Sequence, residues 1–256
     1  MGRVLSRGWD IGRRTWSGVG LFTLIFVAAN IAATVWLGER LEADLKSATE
    51  TDSPDRLAIF RSWAYWLTLI SPMLFGAILA SGSMSGLLRA AQVGSSNIGD
   101  CVVGAARHFL PVLAIYVLWM LGLILGFLFL IVPGIFLLTM WSIVIPVRLG
   151  DGAGISAAFG RSNYLTEGFR TKVLAIIIII AIIQYGSLFF LMKAFIGGSI
   201  FEGVAGLKSD AAYQWSLIPL TTITTIVLNA LLVSTYLECI ESKEGGNRSE
   251  LAKVFH

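Results

Sequence analysis

The chain has 256 residues, of which 56% are hydrophobic and only 14% carry a charge. Because a soluble domain carries about 25% charged residues, this composition excludes a soluble globular protein and predicts an all-α integral membrane protein. The formal net charge of +3 is too small to indicate a nucleic-acid partner. We expect the partners to be membrane lipids, with another membrane protein or a second copy of the chain as further candidates.

Residues 1–18 form a basic segment ahead of the first apolar run, Val19–Leu37. A signal peptide begins in a similar way, but its apolar part is only about 7–15 residues long. The run is therefore predicted to be a first transmembrane helix that the protein keeps. Within the basic segment, Val4–Trp16 is a candidate for an amphipathic helix that lies in the membrane interface.

Further apolar runs predict the remaining spans, since a helix needs about 20 apolar residues to cross the hydrocarbon core. Three runs meet this requirement alone, namely Trp63–Leu88, Val173–Met192 and Ser216–Leu237. A longer run, Phe109–Val147, contains no Asp, Glu, Lys, Arg or His. As one helix it would be about 60 Å long, twice the thickness of the core, so it is predicted to fold back on itself.

The Pro133–Gly134 pair is the predicted position of that turn. Pro presets φ for the second position of a type II turn, and Gly accepts the positive φ of the third position. The pair would separate two helices of one hairpin, Phe109–Leu130 and Gly134–Val147, and its role would be architectural. The second helix is short for a membrane span, so a full crossing and a shallow re-entrant hairpin both remain open.

The distribution of Lys and Arg among the connections predicts the orientation of the chain. Six spans would place thirteen of these residues on one side and six on the other. Because cytoplasmic loops carry an excess of Lys and Arg, both termini are predicted to be cytoplasmic. The chain then consists of the basic segment, a transmembrane domain at 19–240 with six helices in three hairpins, and a cytoplasmic tail at 241–256.

Two connections between spans show helical periodicity. In segment 97–109 the apolar residues recur at helical spacing, and segment 154–170 has a weaker stripe that contains Ile155, Ala158 and Phe159. Both segments are predicted to be cytoplasmic amphipathic helices in the interface, with Arg side chains near the lipid headgroups.

Charged residues in and around the second connection are candidates for docking. They are Asp151, Arg161, Arg170 and Lys172. One interpretation is a solvated helix surface with local ion pairs. The other is a patch that binds lipid headgroups or a partner protein.

Residues 131–170 carry a motif with two parts. The first part is a Pro-Gly-Ile turn followed by a short helix that has a Pro near its end. The second part is an acidic residue followed by Gly, and then Ala, Arg-Ser, Leu-Thr and Gly. Its residues are Pro133, Gly134, Ile135, Pro146, Asp151, Gly152, Ala158, Arg161, Ser162, Leu165, Thr166 and Gly168. The motif resembles the YciC-like (UPF0259) family of bacterial membrane proteins and the membrane domain attached to some glycerophosphoryl diester phosphodiesterases. The resemblance implies a multi-pass protein of the bacterial cytoplasmic (inner) membrane. It implies no activity, because the phosphodiesterase chemistry belongs to a separate soluble domain.

Residues that could support catalysis or hold a metal are sparse. His108 is the only histidine before the last residue, and the serine cluster at 80–86 has no histidine in a later span to act as its base. Cys101 is predicted on the apolar face of the 97–109 segment and His108 on its polar face, so they form no metal site. We expect a protein that is not an enzyme and that has no catalytic residues, metal or cofactor.

Small residues recur at four-residue spacing in two spans, as Gly82 and Gly86 and as Gly122 and Gly126. Such pairs allow two helix backbones to approach closely. Both pairs are therefore predicted to lie at contacts between helices.

The predicted spans contain neutral polar residues and no ionisable residue near their middle. Asn30, Gln184 and Asn229 either hydrogen-bond neighbouring helices or line a common cavity. The favoured function is a non-enzymatic accessory, scaffold or lipid-interacting protein. The alternative is a transporter or channel for a small, weakly charged solute, which requires these three side chains to face one cavity.

Overall fold

The computed structural model describes residues 2–49, 62–195 and 211–254. Within these ranges the chain is α-helical apart from short connections and one π-helical turn. Six helical segments are long and apolar enough to cross a membrane. The predicted fold class, an all-α integral membrane protein with six transmembrane helices, is confirmed.

The helices follow one another with short connections. In chain order they are α1 (Gly2–Arg14), α2 (Leu21–Thr49), α3 (Trp63–Val93), α4 (Ile98–Phe129), α5 (Ile131–Met140), α6 (Val144–Asp151), α7 (Ile155–Thr166), α8 (Arg170–Phe195) and α9 (Ala211–Val254). The spans are carried by α2, α3, α4, the α5–α6 pair, α8 and α9. Helices α1 and α7 are too short to cross a membrane and lie outside the six spans.

The turn between α1 and α2 is a π-helix, Trp16–Gly20. At the end of α1, the Thr15 hydroxyl donates to the carbonyl of Ile11 at 2.8 Å. Gly18 lies against the backbone of residues 96–97, where a Cβ would collide. The turn therefore packs the start of α2 against the connection between α3 and α4.

Small residues bring α2, α3 and α4 into close contact. The Phe22 ring packs directly over Gly82, and the Cys101 sulfur lies over Gly86, so a Cβ at either glycine would collide. Phe22 and Cys101 are both almost completely buried. The contact predicted from the Gly82–Gly86 spacing is confirmed, and it forms the centre of the hydrophobic core.

The predicted type II turn at Pro133–Gly134 is wrong, because the chain turns earlier. Leu130 is the single extended residue between α4 and α5, with φ −167° and ψ 150°. Pro133 lies in the first turn of α5, where a missing N–H costs no intrahelical hydrogen bond. Gly134 is helical, without a positive φ, and packs against Gly126 and the Phe127 ring. Its role is close contact between the two helices of the hairpin.

The fourth span consists of α5 and α6, separated by a turn at 141–143. Pro146 explains the break, since a Pro ring collides with the carbonyl four residues earlier in a continuous helix. The two helices together cover Ile131–Asp151, 21 residues, which is longer than the predicted Gly134–Val147. At about 1.5 Å per residue this length matches the hydrocarbon core, so it favours a full crossing over a re-entrant hairpin.

The two predicted connector helices have different outcomes. Segment 97–109 is not a separate helix, because α4 starts at Ile98 and continues without a break to Phe129. Segment 154–170 does contain a separate helix, α7, whose buried face includes Ala158, Ser162 and Leu165. A location of α7 in the membrane interface stays a prediction.

Helix α9 extends well beyond the last predicted span. It runs for 44 residues from Ala211 to Val254, which corresponds to about 66 Å. The predicted tail at 241–256 is therefore helical as far as Val254, and its last two residues lie outside the described ranges.

Candidate functional site

One end of the bundle brings together charged residues from most of the helices. We call it the basic end. It comprises α1, α7, the C-terminal ends of α3, α6 and α9, and the N-terminal ends of α4 and α8. Packing of α1 on α9 and α3, and of α7 on α6 and α9, places these parts side by side. The segments at this end contain thirteen of the 19 Lys and Arg residues of the chain.

Helix α1 is held on α9 by apolar packing and one hydrogen bond. Its buried face is formed by Val4, Gly8 and Ile11. Gly8 lies against Leu231 and Ser234, where a Cβ would be tightly packed. The Ser234 hydroxyl donates to the Val4 carbonyl at 3.0 Å. The N-terminal helix is thus fixed along the C-terminal helix.

Two ion pairs run alongside this contact. Arg3 lies 2.7 Å from Glu238, and Arg7 lies 2.8 Å from Glu241. The Arg3 side chain is 85% exposed, so its pair is strongly screened by solvent. Exposed pairs contribute about 0–1 kcal/mol each, so they align α1 on α9 while burial supplies most of the stabilisation.

Helix α1 presents two further, chemically different flanks. Leu5 and Trp9, four residues apart and so on one face, are 41% and 68% exposed. The other exposed flank is polar and includes Asp10 and Arg14, while Arg13 lies one turn after Trp9 at the border of the apolar side. Helix α1 therefore has a protein-facing side, an exposed apolar side and an exposed charged side.

A cleft of about 650 Å³ separates α1 from the end of α3. Its ionisable lining residues are Arg3, Arg7, Asp10, Arg14, Glu238 and Glu241. Cations and carboxylates are equal in number there, and four of the six form the two ion pairs with each other. The cleft is therefore electrostatically balanced and has no preference for an anion.

A second polar cluster joins α6, α7 and α9. The Arg161 Nε lies 3.1 Å from Asp151, and its Nη2 lies 2.5 Å from Glu244. The Tyr236 hydroxyl donates to the other oxygen of Asp151 at 2.7 Å. Gly150 gives the Tyr236 ring the space to reach this position. Arg161 thus bridges two carboxylates and ties the end of α9 to α7.

The environment of Arg161 keeps it charged. Partial burial lowers the pKa of its guanidinium, but the hydrogen bonds to Asp151 and Glu244 outweigh burial and raise the pKa above its ordinary value. Two carboxylates already neutralise this cation. Of the residues predicted to dock lipids or a partner, Arg161 and Asp151 are therefore engaged with each other.

The other two predicted docking residues have separate partners. Arg170 donates to the Asn163 side chain at 2.7 Å and lies over the Phe136 ring, 4.4 Å from its centroid. Lys172 is exposed and lies 5.0 Å from the centroid of Phe169. Docking by this set stays a prediction, and Lys172 is its most accessible cation.

The three polar residues predicted to face a common cavity, Asn30, Gln184 and Asn229, do not line the cleft at the basic end. Asn229 is buried and donates to the Ser83 hydroxyl at 2.7 Å, joining α9 to α3. Asn30 is half-buried, and its carbonyl accepts from Thr34 at 2.9 Å on the same helix. Gln184 is half-buried on α8. A common cavity stays a prediction, and Asn229 fits the packing interpretation.

The residues considered for catalysis have structural partners. Ser81, Ser83 and Ser85 each donate to the carbonyl four residues earlier in α3. Cys101 and Cys239 are buried and unbonded to each other. In the ranges that the structure describes, no three His, Cys, Asp or Glu side chains converge as a metal site would require.

Sequence reasoning missed the acidic partners on α9. Glu238, Glu241 and Glu244 recur every three residues, which places them along one side of the helix. This spacing was a usable signal for a surface that binds cations. Their partners Arg3, Arg7 and Arg161 are remote in sequence, so periodicity could not identify them.

Comparison of the chain with protein-family models, with curated proteins and with solved structures gave no significant match. The class of protein is therefore defined by the fold, as a multi-pass, all-helical membrane protein with six spans. Its candidate functional surface is the basic end.

Proposed function

We propose that the protein is a non-enzymatic membrane scaffold whose basic end contacts anionic lipids on the cytoplasmic side of the bacterial inner membrane. The observation that carries this proposal is helix α1. It is fixed to α9 along Val4 and Ile11 and exposes Leu5 and Trp9 on one side. Arg13 is exposed at the border of that side, and Arg14 is exposed on the polar flank.

This arrangement is that of an interfacial helix. The exposed apolar flank suits the boundary between headgroups and acyl chains, where Trp is enriched. Arg13 and Arg14 would then lie at the level of the phosphates, and an anionic surface attracts each Arg by about 1 kcal/mol. Because α1 is attached to the bundle, it holds lipids in a fixed place relative to the spans.

Two further observations support the location. The excess of Lys and Arg at the basic end favours a cytoplasmic position for this end and for both termini. The motif that resembles the YciC-like family supports a bacterial inner membrane. In the structure its residues have packing roles, since Asp151 pairs with Arg161 and Ser162 donates to the Met140 carbonyl.

The proposal is tested by the lipid selectivity of the protein in proteoliposomes. Spin-labelled phosphatidylglycerol and phosphatidylcholine report how strongly each lipid associates with the protein surface. The Arg13→Gln/Arg14→Gln variant should lose about half of the preference for phosphatidylglycerol, because two cations leave the headgroup layer.

A charge-matched control removes two exposed cations from the opposite end of the bundle, Arg40→Gln/Lys193→Gln. It should retain the preference of the unmodified protein. An equal loss in both variants, or no loss in either, would contradict lipid contact through α1.

A further inference from the structure

Three basic side chains lie close together where α4 meets α6 at the basic end. Arg107 and Arg148 both act electrostatically on the His108 imidazole, so the three groups share one neighbourhood. Residues on either side of Arg148 fix this geometry, since Ile145 and Leu149 pack with Phe109 against a buried cluster of α3 and α4. Arg148 is thereby held beside the start of α4.

Among the described residues, no carboxylate balances this cluster. Arg107, His108 and Arg148 form no ion pair with any described residue. The acids nearest in sequence have other partners, because Asp100 lies 2.8 Å from Arg89 and Asp151 pairs with Arg161. Like charges that are held together without a counter-ion destabilise the fold, and a bound anion would remove this cost.

Arg148 also carries an unsatisfied donor. Its Nε is buried and has no hydrogen-bond acceptor in the structure. Buried polar groups in folded proteins are nearly always hydrogen-bonded, and leaving a donor unpaired costs about 1–3 kcal/mol. The cluster therefore lacks an acceptor as well as a negative charge.

The surroundings of Arg107 indicate which kind of anion can reach the cluster. Val103 and Leu110 lie about one turn before and after Arg107 on the same face of α4, and they are 60% and 71% exposed. An exposed apolar stripe on a membrane-spanning helix faces lipid. Arg107 interrupts this stripe near the end of the span, where a long basic side chain can reach the headgroup layer.

We propose that Arg107, His108 and Arg148 bind the phosphodiester of an anionic phospholipid at the α4–α6 junction. Arginine forks suit phosphate oxygens because two N–H groups can bond at once, and the imidazole supplies a further N–H. The acyl chains would lie along the exposed stripe of α4. This inference rests on the proposed lipid-contacting function and adds a defined site to it.

The test is equilibrium binding of fluorescent phosphatidylglycerol to the full-length protein in uncharged detergent. We expect one site per chain. The Arg148→Gln variant should bind about 10-fold more weakly, since a charge-assisted hydrogen bond to phosphate is lost. Arg107→Gln changes an exposed side chain, so its unfolding midpoint should match that of the unmodified protein, and a weaker isotherm at an unchanged midpoint reports the site. Restoration of most of the affinity by Arg148→Lys would support a role for the charge.

Competition identifies the source of the phosphate. Unlabelled phosphatidylglycerol should displace the probe, and phosphatidylethanolamine should compete more weakly because its net charge is zero. Displacement by inorganic phosphate at millimolar concentration would overturn the assignment to lipid. Unchanged affinity in both the Arg148→Gln and Arg107→Gln variants would overturn the site itself.

The outcome can be separated from that of the general lipid proposal. Arg13→Gln/Arg14→Gln should leave this isotherm unchanged, because α1 does not contribute to the α4–α6 junction. An unchanged lipid preference in Arg13→Gln/Arg14→Gln, together with an isotherm that Arg148→Gln weakens, would support the defined site alone. Both proposals would be supported if Arg148→Gln abolishes binding of the probe and if the unmodified protein shows a lipid preference that depends on α1.

Discussion

At the scale of single residues, polar groups at the basic end are satisfied mainly by partners remote in sequence. Arg161 shows this most clearly, since it joins Asp151 of α6 to Glu244 of α9. The side chains of these three residues retain 25% to 33% exposure, so solvent screens the contacts only in part. The cluster should therefore contribute measurably to stability.

The first prediction concerns this bridge. Arg161→Gln removes the shared cation and leaves two carboxylates facing each other, so it should destabilise the protein by about 1–2 kcal/mol. Thermal unfolding in detergent should show a lower midpoint. Lys172→Gln is the matched control, because Lys172 is exposed and pairs with no carboxylate among the described residues.

A double-mutant cycle separates the bridge from general charge effects. In the Glu244→Gln background, Arg161→Gln should cost less, with a coupling energy of about 0.5–3 kcal/mol. Equal midpoint shifts for Arg161→Gln and Lys172→Gln would show that the bridge does not stabilise the fold.

Sequence reasoning reached some of these residues and not others. The Gly82–Gly86 contact was predictable because four-residue spacing of small residues has one strong physical interpretation, close helix packing. Asp151 and Arg161 were identified as a charged group on one connection. The role of Glu244 depends on the length of α9, and the tail composition did not indicate that helix continued there.

At the scale of elements, the fourth span shows how one sequence signal can have two physical meanings. Pro133 was interpreted as the corner of a turn, yet it lies in the first turn of α5, and Pro146 occupies the equivalent place in α6. Pro is favoured at helix starts as well as in turns. The apolar residues around Pro133 favour the helix start, because a helix satisfies the backbone groups that lipid cannot.

The second prediction tests the close contact in this hairpin. A Cβ at Gly134 would lie 2.6 Å from the Phe127 ring, so Gly134→Ala should destabilise the protein by about 1–3 kcal/mol through overpacking. Gly160→Ala is the control, because Gly160 is an exposed residue of α7 with open space around it. The control should stabilise α7 by up to about 1 kcal/mol.

The measurement is again the unfolding midpoint, and the two variants should shift it in opposite directions. Stabilisation by both would mean that α4 and α5 do not approach at Gly134.

At the scale of the whole molecule, the number and order of the spans were predictable because the membrane imposes one strong constraint. A segment that crosses lipid must be long, apolar and helical, and each of these properties is local in sequence. The packing of α1 on α9 is a contact between the two ends of the chain. Neither hydropathy nor periodicity reports such contacts. The sequence indicated an amphipathic segment at Val4–Trp16, but its attachment to α9 emerged only from the structure.

The position of α1 in the membrane is the central claim of this account. Its apolar flank should lie in lipid and its polar flank in water. Single cysteines at Trp9→Cys and Asp10→Cys sample the two flanks, because both side chains are exposed and adjacent helix positions face in directions about 100° apart. They are introduced into a chain whose two buried native cysteines are replaced by Ser.

Spin labels at these positions in proteoliposomes provide the decisive measurement. The label at position 9 should be more accessible to oxygen, which concentrates in lipid. The label at position 10 should be more accessible to a water-soluble nickel chelate. Similar, chelate-dominated accessibility at both positions would show that α1 lies in water away from the membrane, and it would contradict the proposed contact with lipids.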